Sequence, residues 1–304
     1  MLTSPADTSA AVHCPNAHLF GVSAAMVTPF AADGSVDLER LVALARDIVA
    51  GGAQGVTLFG TTGEGASIGP SERRAMLEAV VGRAVEPSQV TVCIAASDME
   101  TAVAQAREAF GFGVRRLLLA PPYYFKGVDD DALFAWVSDF IRLTADAAPQ
   151  IIIYHIPQVT GIRFDAAIIR LLKQAFPEEI FGVKDSEGSW DHAQEMLAID
   201  GLAVLIGDER LLARAAPLGG AGAISGMANL LPARISALVH QGQQDPALDD
   251  LVTDIITVPV TPLIKALVGA TRNDDGWHAT RPPLTPANAA IVEALQGRVN
   301  LLKA

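Results

Sequence analysis

The sequence predicts an α/β chain: a closed (β/α)8 TIM barrel followed by a helical region. Three observations support this. Short apolar runs of strand length recur along the chain, helical patterns with start signals separate them, and the alternation stops near residue 226. The runs are LFGVSAAMV, GVTLF, VTVCIAA, RRLLLA, IIIYHI, IFGVK, LAVLIG and GAIS. They are rich in Val, Ile and Leu and lack polar alternation, as strands buried on both faces of a parallel sheet do. A strand then a helix, about eight times over, closes most naturally into a barrel. A doubly wound open sheet is the alternative.

Helix starts can be read between the runs. Asp37 precedes LERLVALARDIVA, Pro70 and Ser71 precede ERRAMLEAVVGRA, and Asp98 precedes METAVAQAREAF; these are residues that cap or open a first turn. Residues 1–18 read as a flexible N-terminal tail, 19–226 as the barrel, and 227–304 as a C-terminal helical region. In that last region LLPARISALVHQ, ALDDLVTDIITVPVTPLIKALVGA and PANAAIVEALQGRVN carry helical spacing only. Its apolar content suggests packing on the barrel or a subunit interface.

Composition narrows the function. The chain has 304 residues, half of them hydrophobic, and a net charge of −12, which repels nucleic-acid phosphates and anionic lipid surfaces. No nucleic acid or membrane partner is expected. The tail lacks the apolar stretch of a secretory signal, no segment is long enough to span a membrane, and only Cys14 and Cys93 are present, so a cytoplasmic setting is expected. The six histidines show no metal-ligand spacing, and no dinucleotide or phosphate-loop fingerprint occurs, so neither metal nor cofactor is expected.

One residue breaks the pattern. Lys184 closes the apolar run IFGVK in a chain with only four other lysines. An ammonium is expensive to bury, so the amine inside a barrel is expected to favour its neutral, nucleophilic form. Neutral amines attack carbonyls, and the resulting imine allows an adjacent C–C bond to break or form. Tyr154 ends the neighbouring run, where its phenol could move the protons such chemistry needs. The bland alternatives are a lysine paired with adjacent Asp185 and a tyrosine serving as core aromatic.

Four motifs carry a resemblance: GTTGEG at 60–65, PPYY at 121–124, YHIPQVTG at 154–161 and GVKDSEG at 182–188. Together, and in this order, they resemble the dihydrodipicolinate synthase and N-acetylneuraminate lyase family, and the likeness extends from GVSAAMVTPFAADGSVD to RPPLTP. The resemblance implies that Lys184 is the Schiff-base lysine and Tyr154 the catalytic phenol. It implies that Thr61 and Thr62 hold the carboxylate of a 2-oxo acid, and that Tyr124 completes a proton relay with Thr61 and Tyr154, across a subunit boundary in some relatives. It also implies a homotetramer. Gly207, Asp208, Glu209 and Ser225 lie at the ends of the last two runs, where sugar-acid lyases of the family bind a hydroxylated tail. One departure bears on substrate. Synthases of the lysine pathway usually carry arginine two residues after the proline of the tyrosine motif; here Pro157 is followed by Gln158 and Val159.

The expected function is therefore a Schiff-base lyase acting on a 2-keto-3-deoxy sugar acid or related 4-hydroxy-2-oxo acid, with pyruvate as the imine-bound partner. The alternatives are 4-hydroxy-tetrahydrodipicolinate synthase, a dehydratase of the same family, and a non-catalytic metabolite-binding barrel.

Overall fold

The computed structural model describes residues 19–303. The stretch read as an N-terminal tail lies outside them. Eight strands, β1 (Gly21–Ala25), β2 (Gly55–Leu58), β3 (Val90–Ile94), β4 (Arg116–Leu119), β5 (Gln150–His155), β6 (Ile180–Asp185), β7 (Ala203–Ile206) and β8 (Gly222–Ser225), close in sequence order into one barrel. Every pairing is parallel, and β8 returns to β1. The open-sheet alternative is thereby excluded.

The helices follow their strands. They are α1 (Leu38–Ala50), α2 (Pro70–Arg83), α3 (Met99–Gly111), α4 (Asp130–Thr144), the single turn α5 (Pro157–Thr160), α6 (Ala166–Ala175), α7 (Trp190–Leu197) and α8 (Leu212–Ala215). Local chemistry sets several starts. The Asp37 carboxylate accepts from the Arg40 N–H, and the Asp98 carboxylate accepts from the Thr101 N–H, satisfying donors that a first turn leaves free. Pro70 occupies the first turn of α2, where its missing N–H costs nothing.

Beyond β8 lie α9 (Pro232–Gln241), α10 (Pro246–Ile255), α11 (Val260–Arg272) and α12 (Ala289–Lys303). The stretch ALDDLVTDIITVPVTPLIKALVGA reads as one helical pattern but forms two helices, α10 and α11. Pro259 causes the break: it cannot donate within a helix and disfavours helical geometry in the residue before it, so it becomes the N-cap of α11. Helix α11 then has the nine residues from Thr261 to Gly269 buried.

Register positions the site. Tyr154 pairs with Lys184 and His155 with Asp185 across β5 and β6. Side chains alternate along a strand, and paired residues share a face. Tyr154 and Lys184 therefore project to one side, and His155 with Asp185 to the other, toward the helices.

Candidate active site

At the C-terminal end of β6, Lys184 Nζ donates to Tyr154 Oη at 3.3 Å and lies 4.4 Å from the centre of the tyrosine ring. Both residues are buried, with exposures of 5% and 4%. The phenol reaches on to Thr61 Oγ1 at 3.4 Å. An amine, a phenol and a hydroxyl thus form a chain of proton-bearing groups. Asp185 does not neutralise the lysine. Its carboxylate points to the opposite face of the strand and holds His192 at 3.0 Å, and among the described residues Lys184 pairs with no carboxylate. Cys93, a free buried thiol close enough to sense the Lys184 charge, is pushed up to about 11 by burial and stays protonated.

The loop after β2 has the form of an anion cradle. Gly63 N–H and Gly65 N–H both bond the Gly60 carbonyl, and Glu64 N–H bonds that of Thr61, curling the chain tightly. The Thr61 and Thr62 N–H groups are left without acceptors among the described residues. Successive free N–H groups in a tight turn make a concavity suited to a carboxylate. Glycine is required here: a Cβ on Gly65 would stand 1.7 Å from the Phe59 carbonyl oxygen, and one on Gly63 would stand 2.6 Å from that of Met26. Thr62 borders Gly226, just past β8, closing the cradle on that side.

The remaining residues singled out from sequence fall into two groups. Glu209 and Ser225 come together, with Ser225 Oγ donating to Glu209 Oε1 at 2.6 Å and Met227 N–H donating to the same oxygen at 3.2 Å. Burial outweighs these bonds and holds the Glu209 carboxyl above its ordinary range. Asp208, after Gly207 at the end of β7, is clamped instead by Arg210, whose Nη2 lies 2.6 Å away. Tyr124 stands apart. It is 74% exposed and rests edge-on against Phe125, with ring centres 5.3 Å apart. Within this chain no hydrogen bond joins it to Tyr154 or Thr61 among the described residues.

Sequence spacing missed a second cluster. On the outer face of β5 and β6, the rings of His155 and His192 stack 4.1 Å apart, and with Glu187 their ligand atoms lie within 4.8 Å of one another. This geometry could suggest a metal, but the hydrogen bonds do not fit one. His155 Nδ1 accepts from the Phe164 N–H at 3.1 Å, so its proton sits on Nε2, facing Glu187 at 3.4 Å. A metal on Nε2 would require an imidazolate. Glu187 is moreover already paired with Arg163. The cluster instead joins the two loops beyond β5 and β6.

The fold is that of a barrel enzyme, a class whose active sites are built at the C-terminal ends of the strands, where Lys184 and Tyr154 stand. The chain belongs to the dihydrodipicolinate synthetase family, whose model matches residues 18–300. The family comprises lyases and synthases. An uncharacterized DapA-like lyase of Chloroflexus aurantiacus is 36% identical over 293 residues, covering 91% of this chain and 94% of that one. A 4-hydroxy-tetrahydrodipicolinate synthase of Chlorobium chlorochromatii is 31% identical over 241 residues, covering 79% and 78%. The crystal structure of dihydrodipicolinate synthase from Agrobacterium tumefaciens superposes with a TM-score of 0.90 at 42% identity, covering 94% of this chain and all of that one. Among the described residues no helix is long and apolar enough to cross a membrane.

Proposed function

We propose that the chain is a Schiff-base lyase that cleaves or forms a 4-hydroxy-2-oxo acid of the 2-keto-3-deoxy sugar-acid type, releasing or consuming pyruvate. The observation that carries this reading is the unpaired Lys184 amine bonded at 3.3 Å to the Tyr154 phenol beside two free threonine N–H groups. In the cleavage direction the substrate carboxylate binds at Thr61 and Thr62. Lys184 Nζ adds to the C2 carbonyl, and water leaves to form the imine. Tyr154, connected to Thr61 Oγ1, carries the protons that this addition and loss of water require. It then accepts the proton of the 4-hydroxyl as the C3–C4 bond breaks; the electron pair passes to the enamine and an aldehyde departs. Protonation at C3 and hydrolysis return pyruvate and the free lysine.

The hydroxylated part of the substrate meets Gly207, Asp208, Glu209 and Ser225. Tyr124, with exposed Tyr123 and Phe125, forms an aromatic patch suited to a second copy of the chain, and the reading includes a cytoplasmic homotetramer in which Tyr124 completes a neighbouring relay. The second reading, 4-hydroxy-tetrahydrodipicolinate synthase, draws on the named relatives. That reaction's aldehyde carries a carboxylate, which favours a cation at the rim. The nearby cations are engaged: Arg163 holds Glu187 and Asp165, and Lys126 donates to the Tyr123 and Thr160 carbonyls.

Incubation with pyruvate and borohydride, followed by peptide mass spectrometry, tests the imine directly. A reduced adduct on Lys184, absent in Lys184→Ala, is the expected result; an adduct on Lys173 or Lys265, or none, would overturn it.

A further inference from the structure

At the end of the barrel opposite Lys184 lies a cavity lined by Ser88, Gly113, Arg115, Arg116 and Gln150, from the loops that lead into β3, β4 and β5. Two of these residues are cationic, none is acidic, and neither arginine forms an ion pair among the described residues. Arg116 is the unusual one. Its guanidinium lies over two neighbouring rings, 4.9 Å from the centre of Phe20 and 5.8 Å from that of Phe181, whose own centres are 6.3 Å apart. Those rings attract the cation but offer no oxygen acceptor to its N–H groups. Of these, Nη1 makes one long bond to the Ser88 carbonyl at 3.4 Å, and Nε is buried with no partner. Burial pushes the Arg116 pKa down, in keeping with a charge removed from water without compensation. Arg115, exposed beside it, bonds only the Phe110 and Val114 carbonyls, at 3.1 and 3.3 Å.

We propose that this cavity is a binding site for a small oxyanion, phosphate or carboxylate, received on the free edge of Arg116 and flanked by Arg115. A guanidinium with so few oxygen partners can give two N–H groups to one oxyanion, the geometry in which arginine binds such groups best. The site is separate from the barrel mouth and does not rest on the reaction assigned there. In a chain of net charge −12, a recess lined by two arginines and, among the described residues, by no carboxylate also provides a local field that would draw an anion to this face.

The experiment is calorimetric titration of the full chain at low ionic strength with inorganic phosphate and, separately, with succinate. Wild-type protein and Lys184→Ala should each bind at least one of the two anions saturably, at one site per chain. Response to phosphate alone marks a phosphoryl ligand, and response to succinate marks a carboxylate. Arg115→Gln and Ser88→Asp alter exposed residues at the rim and leave Arg116 and its two rings unchanged. Each should weaken binding by about tenfold or more, with an unchanged melting temperature in the absence of anion. Absence of saturable binding to the wild type, binding that survives both rim variants, or binding lost in Lys184→Ala would each overturn the proposal.

Discussion

Lys265 Nζ lies 2.7 Å from Glu64 Oε1, and both side chains are wholly shielded from solvent. The second Glu64 oxygen accepts the Arg281 N–H at 3.0 Å, and Thr261 Oγ1 donates to the Thr61 carbonyl at 3.2 Å. Helix α11 thereby grips the threonine loop at two points, one residue of the loop being Glu64 itself, held at a φ of 54°. Helix α11 and the segment at Arg281 are thus part of the support for the threonine loop. Lys265→Met should strand a buried carboxylate and cost roughly 3–5 kcal/mol of stability, as removal of one partner of a buried pair does. Urea unfolding would measure this. Adding Glu64→Gln to that variant should restore part of the loss, since the unpaired charge is then gone; a double variant as unstable as the single would show that the pair acts by packing alone.

The Tyr154 hydroxyl touches both Lys184 and Thr61, so its removal should interrupt proton transfer without opening the core. Tyr154→Phe keeps the ring, and turnover is expected to fall on the order of 10²-fold or more with little change in melting temperature. Near-normal turnover measured in a pyruvate-coupled assay would return Tyr154 to a packing role.

Much of this arrangement was legible in the chain because it is local. Each strand is a short apolar run, and Lys184 and Tyr154 stand out as polar groups at the ends of such runs. What escaped depends on distance or on a break within an otherwise regular pattern. Glu64 and Lys265 are 201 residues apart, and nothing in KALVGA signals that its lysine is a buried counter-ion. The histidine stack joins positions on different elements, so no spacing rule finds it. Pro259 sits in a stretch whose apolar period continues on both sides, and backbone chemistry overrides that period.

The two stacked histidines titrate in opposite senses. Burial lowers the His155 pKa, and the His192 charge lowers it further against the pull of Asp185 and Glu187. For His192, burial also pushes down, but the Asp185 hydrogen bond and charge, the Phe164 carbonyl and Glu187 together raise it above 6.5. Its two nitrogens both face acceptors, as an imidazolium requires. The His192 contribution is fully present below about pH 6.5, its ordinary value, and is lost as pH rises from there through the raised folded value. With a depressed folded value, the His155 contribution is present above about pH 6.5 and is lost as pH falls. Unfolding free energy measured across this range should therefore lose its alkaline decline in His192→Gln while the acid limb persists. Loss of the acid limb instead would reverse the assignment of charge within the stack.

Substrate preference turns on charge at the rim. Val159, 58% exposed, stands where the lysine-pathway pattern places arginine, and Arg210 at the end of β7 is neutralised by Asp208 through contacts of 2.9 and 2.6 Å. On the proposed reading, a second substrate carboxylate would find both named arginines, Arg163 and Arg210, already paired, whereas hydroxyls would exchange bonds with Asp208 and with the Glu209–Ser225 pair. Catalytic efficiency is expected to be at least roughly tenfold higher for a keto-deoxy sugar acid than for pyruvate with aspartate semialdehyde, a difference of about 1.4 kcal/mol in transition-state stabilisation. Asp208→Ala should narrow that gap from both sides, since it removes an acceptor for hydroxyls and releases the Arg210 guanidinium to pair with a carboxylate. Coupled assays of both substrates on the wild type and this variant provide the measurement. A wild type that prefers aspartate semialdehyde, with a ranking unmoved by Asp208→Ala, would place the chain with the synthases and move its carboxylate recognition away from this rim.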